Sequence, residues 1–402
     1  MQYSITANRI HTMTGVDGGV GVTGLLAGRY INIENDKIVS VSKNPQFKNI
    51  NDYGNRYDIL PGMINAHTHL ELSQLESPLQ LSQKSPDAKT PAMLDLKSNF
   101  GQFERYCGEF DQWIKQLIDF RRSEEYDLSL GLNLARRYFE LYYGTVAVVD
   151  IVPFGLDLGD VGLGENVEWF CYPELIAWDS ISVTKKIDAI CGLSISSYLG
   201  LSPHAPHTVS SELLEFVVDF GVPVVMHLAE SPEEMRLLRY GDGRLLEMMR
   251  KVDDNYDPSK VLLGRKPMDY LQVLSRAPKV LVIHGNYLDD GEIKFMAECN
   301  ETMALVYTPR SHDYFGFDEL PLQKMLDSGV CVLVGTDSKA STPDLSMINE
   351  INHAASIYKN IPIEIFWQMA TINAAKFLGL IKNYGTIESG KKAIFSLYKN
   401  NS

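Results

Sequence analysis

The 402-residue sequence predicts a (β/α)8 barrel joined to a small β-domain, an α/β fold in which both chain ends form the smaller unit. Two patterns lead to this prediction. From about residue 60 onward, short apolar runs alternate with amphipathic helical stretches, which is typical of repeated βα units around a parallel sheet. Before residue 60, strands and turns dominate and no helical period appears. We therefore expect a β-sandwich-like domain from residues 1–60 and 385–402, and a barrel from residues 61–384.

The N-terminal region contains a candidate β-hairpin. In the stretch GRYINIENDKIVSVS, apolar residues lie on both sides of Asn35 and Asp36. A short Asn/Asp turn between two apolar runs predicts two antiparallel strands.

Eight candidate strands follow residue 60: MINAHTH, TVAVVD, WFCYPELI, YLGLSPH, PVVMH, VLVIH, MALVYTP and VLVGTD. Helical stretches lie between them, such as SSELLEFVVDF and LPLQKMLDSG. Eight parallel strands with alternating helices make up a closed barrel. The long segment at residues 73–125 interrupts this alternation after the first strand. It begins polar and irregular and then reads as helical, so we expect a lid over the barrel mouth.

The composition excludes some functions. A formal net charge of −14 disfavours nucleic acid as a partner, because binding a phosphate backbone normally needs a basic face. No apolar run approaches the ~20 residues needed to span a membrane, and the first ten residues do not resemble a signal peptide. Five scattered cysteines predict reduced thiols and a cytoplasmic protein. A homodimer is the default expectation for a protein of this kind, although the sequence leaves the oligomeric state open.

Ionisable residues occur where the candidate strands end. They are His67, His69, His204, His227, His284 and Asp337. The carboxyl ends of barrel strands are where active sites form. A single histidine there is more often a packed structural residue. Together, however, so many ionisable groups at one end of a core would be costly to bury without a shared ligand.

The physical hypothesis is one divalent metal ion held by His67, His69, His227 and Asp337. Imidazole nitrogen and carboxylate oxygen suit zinc or iron, and a position left open for water distinguishes a catalytic site from a structural one. Such an ion lowers the pKa of its water toward neutrality.

Two further residues have candidate roles in proton transfer. Glu230 follows His227 by three residues in MHLAES, where a short turn brings its carboxyl group toward the same pocket and allows it to protonate a leaving group. His284 would orient the water or polarise the bond under attack.

Five motifs resemble those of the amidohydrolase superfamily, in the order that family shows: LPGMINAHTHLELS, SPHAPHTVS, VMHLAESPEE, VLVIHGNYL and VLVGTDS. The resemblance covers residues 60–390. It implies metal ligation by the four residues named above, and it implies catalytic roles for Glu230 and His284. The stretch SSYLGLSPH lacks the lysine that bridges two metals in binuclear members, which favours one ion.

Within the superfamily the chain looks most like the aminohydrolase branch, which includes hydrolases of adenosine derivatives, guanine, aminofutalosine and chlorotriazines. This resemblance implies that His204 and Glu71 contact the substrate. One departure lies in YTPRSHDYFG, where Arg310 and His312 replace a more usual Ser-Asn pair. A guanidinium there would bind a substrate carboxylate or ring oxygen, or it would simply be a surface arginine.

The leading prediction is a metal-dependent deaminase that releases ammonia from an aminated heterocycle, such as aminofutalosine or an adenosine or guanine compound. Asp337 would accept a proton from the attacking water as well as bind the metal. The alternative is hydrolysis of an amide, an imide or a carbon–chlorine bond by the same metal-bound hydroxide. A third reading is an inactive binding protein on the same fold. The metal ligands alone do not distinguish deamination from the alternative hydrolysis, but the reaction product does.

Overall fold

The computed structural model describes residues 1–14, 24–80, 105–141, 144–156, 162–164, 167–192 and 199–399. The first seven strands and the last one belong to the terminal regions: β1 (Gln2–Thr6), β2 (Arg9–His11), β3 (Leu25–Ala27), β4 (Tyr30–Glu34), β5 (Lys37–Ser42), β6 (Ile50–Asp52), β7 (Tyr57–Pro61) and β16 (Phe395–Lys399). They pair as two mixed sheets, in the orders β5-β4-β1-β6 and β16-β7-β2-β3. The chain ends therefore meet in β-structure, with β16 antiparallel to β7.

The predicted hairpin is confirmed. Strands β4 and β5 are antiparallel and are joined by Asn35 and Asp36, whose φ angles are 50° and 60°. Positive φ at both central residues is the signature of the type I′ turn, whose twist matches that of the strands. The core between the terminal sheets consists of seven buried isoleucines, at positions 5, 10, 31, 33, 38, 59 and 387. Such β-branched side chains pack well on a pleated sheet.

Eight parallel strands form the barrel: β8 (Met63–Thr68), β9 (Thr145–Val152), β10 (Glu168–Leu175), β11 (Ser202–Pro203), β12 (Val224–Leu228), β13 (Val280–His284), β14 (Met303–Tyr307) and β15 (Cys331–Val334). They pair in sequence order from β8 to β11 and from β12 to β15. A parallel bridge between Leu201 and Val224 joins the two groups. Asn65 and Thr336 close the ring through two hydrogen bonds, of 2.8 and 3.0 Å.

This closed order confirms the predicted fold class. The fourth strand is shorter than the predicted span of 198–204, and residue 198 lies outside the described ranges. Its pairing with β10 ends at Pro203, which has no backbone N–H to donate.

The helices of the described ranges are α1 (Phe110–Arg121), α2 (Leu128–Leu141), α3 (Ser180–Cys191), α4 (Ser211–Asp219), α5 (Pro232–Tyr240), α6 (Arg244–Val252), α7 (Pro258–Val261), α8 (Pro267–Leu274), α9 (Asp290–Glu298), α10 (Pro309–Phe315), α11 (Leu322–Asp327), α12 (Met347–Ile357), α13 (Ile363–Gln368) and α14 (Ala374–Phe377). In the described ranges, no helix is both long and apolar enough to cross a bilayer.

The segment predicted as a lid is only partly described, because residues 81–104 lie outside the described ranges. Its helical part is α1, which starts after a capping box formed by Glu109 and Gln112. The aromatic face of α1 packs on the barrel rim, where the Trp113 ring lies 4.9 Å from that of Phe315. The Trp113 indole also donates a hydrogen bond to the carbonyl of Ala340 at 3.2 Å. These contacts dock α1 beside the carboxyl ends of β14 and β15.

Candidate active site

The strand ends bring five ionisable side chains together, which we call the histidine cluster: His67, His69, His227, His284 and Asp337. All five residues are buried. Nε2 of His69 lies 3.4 Å from Nε2 of His227, and Nε2 of His67 lies 3.6 Å from Oδ1 of Asp337. The ligand atoms of His67, His69 and Asp337 all lie within 4.8 Å of one another, and so do those of His67, His227 and His284.

The histidine cluster has the properties of a cation site. Burial lowers the pKa of His69 and of His284 to about 3 and holds the pKa of His227 well below its usual value. Neutral imidazoles have a free lone pair, which is the form that binds metals. Neither ring nitrogen of His67 has a hydrogen-bond partner among the described residues. Facing imidazole nitrogens beside a carboxylate are satisfied together by one divalent ion, so these residues fit a metal.

Hydrogen bonds hold Asp337 in place. Its Oδ2 accepts from the hydroxyls of Ser311, at 2.7 Å, and Ser341, at 2.9 Å. Its Oδ1 accepts from the backbone N–H of Ser338 at 2.8 Å. In metal sites, hydrogen-bond partners of this kind orient the ligating carboxylate.

The backbone is strained at three positions around the histidine cluster. Ala229, His284 and Asp337 have φ angles of 54°, 70° and 59°. Left-handed backbone is uncommon for residues with a Cβ atom, and where it occurs it often accompanies function. Here it turns two of the cluster side chains inward as the chain leaves β13 and β15.

Glu230 pairs with His284 at the edge of the histidine cluster. Oε1 of Glu230 lies 3.3 Å from Nε2 of His284, whose Nδ1 lies 3.1 Å from the hydroxyl of Thr308. Burial, reinforced by the charges of Asp337 and Glu234, raises the pKa of Glu230 well above its usual value. This shift favours the protonated carboxyl group, which is the form that a general acid needs.

A second polar group flanks the histidine cluster, and we call it the carboxylate wall: Glu71, Arg121, Glu174 and His204. Arg121, the last residue of α1, donates from Nη2 to Oε1 of Glu71, and its Nη1 lies 3.5 Å from Oε2 of Glu174. The other oxygen of Glu174 lies 3.8 Å from Nε2 of His204. The His204 ring is 5.1 Å from that of His227, so the wall adjoins the cluster directly.

The structure excludes one of the two alternatives that the sequence left open for Arg310. Its side chain is 5% exposed, so it is not a surface arginine. The Nε atom donates to Glu350 at 2.6 Å, and one Nη donates to Asp344 at 2.8 Å. Two protein carboxylates thus balance its charge. His312 is also buried, with Nδ1 3.0 Å from the side-chain oxygen of Asn286.

Sequence patterns did not identify Arg121 or Glu174 as site residues. Glu174 had a usable signal, because it is an acid inside the apolar candidate strand WFCYPELI, one position before the strand ends. Arg121 had none, since it is one of two adjacent arginines that end an amphipathic helix. Which of the two turns toward the barrel depends on how that helix docks.

The chain matches the family model described as the amidohydrolase family over residues 182–401. At the sequence level it is 32% identical to a 5-methylthioadenosine/S-adenosylhomocysteine deaminase of Pyrococcus furiosus, over 84% of this chain and 74% of that protein. It is 27% identical to a 5′-deoxyadenosine deaminase of Methanopyrus kandleri, over 94% of this chain and 83% of that protein.

Solved structures agree on the fold. An aminofutalosine deaminase of Helicobacter pylori, in complex with methylthio-coformycin, superposes with a TM-score of 0.72 at 19% identity, covering 99% of this chain and 92% of that one. An adenosine deaminase of Xanthomonas campestris with bound zinc gives a TM-score of 0.68 at 20% identity, covering 100% of this chain and 85% of that one.

Proposed function

The chain belongs to the amidohydrolase family, and we propose that it is a hydrolytic deaminase that releases ammonia from an adenosine derivative. One observation carries this proposal beyond similarity. The buried Glu230, whose pKa is raised well above its usual value, lies 3.3 Å from His284 in a cluster of imidazoles and one carboxylate. That combination offers a metal site and a proton donor at the same point, and both are needed to hydrolyse the bond between an aromatic ring carbon and its amino group.

We propose that His67, His69, His227 and Asp337 hold a single divalent ion, with zinc as the first choice. The chemistry such an ion supplies is a Lewis acid and a water molecule of lowered pKa. In support of the nitrogen-rich set, burial keeps His69 and His227 neutral. Support for a single ion comes from the sequence, because SSYLGLSPH offers no lysine to bridge a second one.

Asp337 and Glu230 then transfer the protons of the reaction. Asp337 takes the first proton from the attacking water as the carbon–oxygen bond forms at the amino-bearing carbon. Glu230 gives its own proton to the adjacent ring nitrogen, and then regains one from the added hydroxyl group. Asp337 delivers its proton to the amino group, the carbon–nitrogen bond breaks and ammonia leaves. His284 keeps the Glu230 carboxyl oriented throughout through the 3.3 Å contact.

The substrate side of the site is the carboxylate wall. We propose substrate contacts for His204, with its ring 5.1 Å from that of His227, and for Glu71. We propose a structural role for Arg310, since its Nε and one Nη already donate to Glu350 and Asp344. For His312 we keep the predicted substrate contact, from a position beside Asn286. The names of the relatives direct the first trials to adenosine derivatives modified at the 5′ position.

The test is ammonia release by zinc-loaded protein. The panel holds adenosine, 5′-deoxyadenosine, 5′-methylthioadenosine, S-adenosylhomocysteine, aminofutalosine and guanine, and Glu230→Gln is the control because it keeps shape but loses the acid. We expect ammonia from at least one adenosine derivative and at least a hundredfold slower release by the control, the lower end for loss of general acid catalysis.

If protein with bound zinc releases no ammonia from any compound of the panel, the deaminase proposal is wrong. Hydrolysis of amides or chlorinated heterocycles is then favoured. Protein that takes up no zinc at all would favour an inactive binding protein. Equal rates for wild type and Glu230→Gln would remove Glu230 from the mechanism while leaving the activity in place.

A further inference from the structure

Arg121 connects α1 to two buried acids that belong to different barrel elements. Glu71 lies in the turn after β8, and Glu174 lies within β10. The side chains of these acids are 2% and 10% exposed, whereas that of Arg121 is 27% exposed. One guanidinium therefore reaches inward from the rim and spans two carboxylates. Because its donors form a rigid planar fork, it also constrains the distance between them.

Each acid gives only one oxygen to Arg121. The remaining oxygens, Oε2 of Glu71 and Oε1 of Glu174, are buried and have no hydrogen-bond donor among the described residues. Unsatisfied buried carboxylate oxygens are costly, so their persistence calls for a partner. Oε1 of Glu174 faces His204 at 3.8 Å, which is too long for a hydrogen bond and leaves this oxygen without a donor in the described part of the chain.

The backbone of Glu71 is held from the opposite side. Gly131 of α2 approaches so closely that an added Cβ atom would lie 2.1 Å from the carbonyl oxygen of Glu71. The N–H of Leu70 donates to Asp150 at 2.9 Å, which anchors the start of the same turn. With the main chain fixed in this way, the remaining freedom of Glu71 is in its side chain, and Arg121 determines it.

We propose that Arg121 is a positioning residue that holds Glu71 and Glu174 with their open oxygens toward the substrate and, through Glu174, orients His204. This inference rests on the proposed function and deepens it. The wall presents acceptors, so it binds a part of the substrate that carries hydrogen-bond donors, such as hydroxyl groups. A helix outside the barrel thereby completes the substrate-binding side of the site.

The experiment compares Arg121→Met with Arg122→Met, a change at the exposed residue immediately after α1. For the best adenosine derivative, we expect Arg121→Met to raise KM about tenfold to a hundredfold, the range for losing hydrogen bonds to a charged group, with a much smaller change in kcat. Arg121→Lys restores the charge but not the two-acid bridge, so its KM should fall between those of wild type and Arg121→Met. Zinc content should be the same in all four proteins.

Two readings would overturn the inference. One is a KM for Arg121→Met equal to that of Arg122→Met. The other is an equal fall in kcat for Arg121→Met and Arg121→Lys with KM unchanged, since this would place the residue in chemistry rather than positioning. Glu174→Gln gives a second test, because it should also raise KM without changing zinc content.

Failure of the proposed function is recognised separately, by wild-type protein that turns over no adenosine derivative. Amide hydrogen exchange of residues 110–121 then tests whether Arg121 anchors α1 to the two buried acids. Faster exchange in Arg121→Met than in Arg122→Met supports the bridge to the buried acids. Equal exchange in the two variants overturns it.

Discussion

The histidine cluster and the carboxylate wall are neighbours built in different ways. Every member of the cluster lies on a barrel strand or within three residues of one, so the rigid sheet positions it. The wall instead needs Arg121 from α1, whose guanidinium bridges its two acids. The cluster consists mainly of neutral imidazoles, whereas the wall consists mainly of formal charges. We infer that the barrel provides the chemistry and that the packing of the outer helices provides the recognition.

The largest expected effect comes from breaking the cluster side. Asp337→Asn should reduce kcat about 10⁴-fold or more, because the residue is proposed both to bind the metal and to accept a proton, and the loss of either role is costly. The measurement is kcat with zinc content determined in the same sample. Unchanged turnover in zinc-loaded Asp337→Asn would contradict the role proposed for this residue.

Replacing Arg310 tests whether the loss of a different buried arginine bridge also affects substrate recognition. Arg310→Met leaves Glu350 buried without its cation, so the free energy of unfolding should fall by about 3–5 kcal/mol. The KM of the protein that remains folded should stay near the wild-type value, in contrast with Arg121→Met. Denaturant unfolding and kinetics at low temperature measure both quantities.

The matched control for Arg310 is Arg236→Met, which removes an exposed pair with Asp242 and should cost less than about 1 kcal/mol. A raised KM for Arg310→Met with unchanged zinc content would indicate that Arg310 contacts the substrate.

Gly131→Ala sharpens the comparison from the other side of Glu71. In an exposed helix interior this change would stabilise by about 1 kcal/mol. Here the new methyl group would meet the backbone of Glu71, so we expect a loss of roughly 1–3 kcal/mol in unfolding free energy and a raised KM. Thermal unfolding and KM should be measured together. A stabilised variant with normal KM would show that the turn at residues 70–74 can shift freely.

The smallest effect is expected far from both regions, in the type I′ turn of the terminal sheets. Asp36→Gly removes a side chain from left-handed backbone and creates the Asn-Gly pair that this turn prefers. We expect up to about 1 kcal/mol of added stability and unchanged kinetic constants. A change in KM or kcat would show that the terminal sheets are coupled to the active site.

The sequence supported the barrel and the cluster because both depend on local signals. Apolar runs with alternating helices define the strands, and a histidine at a strand end has its position decided by the strand itself. The hairpin at Asn35 and Asp36 was predictable for the same reason. The predicted boundary between the small β-domain and the barrel stays a prediction. So does the lid at residues 73–125, of which residues 81–104 lie outside the described ranges.

What the sequence determined by itself was therefore the fold class, the approximate strand positions and the residues that meet in the histidine cluster. Only the tertiary structure decided which charges pair across the chain. Arg121 meets Glu71 and Glu174 from 50 and 53 residues away, and Arg310 meets Glu350 from 40 residues away. Secondary-structure periods reach a few residues, whereas the partner of a long, flexible guanidinium depends on how whole helices pack against the barrel.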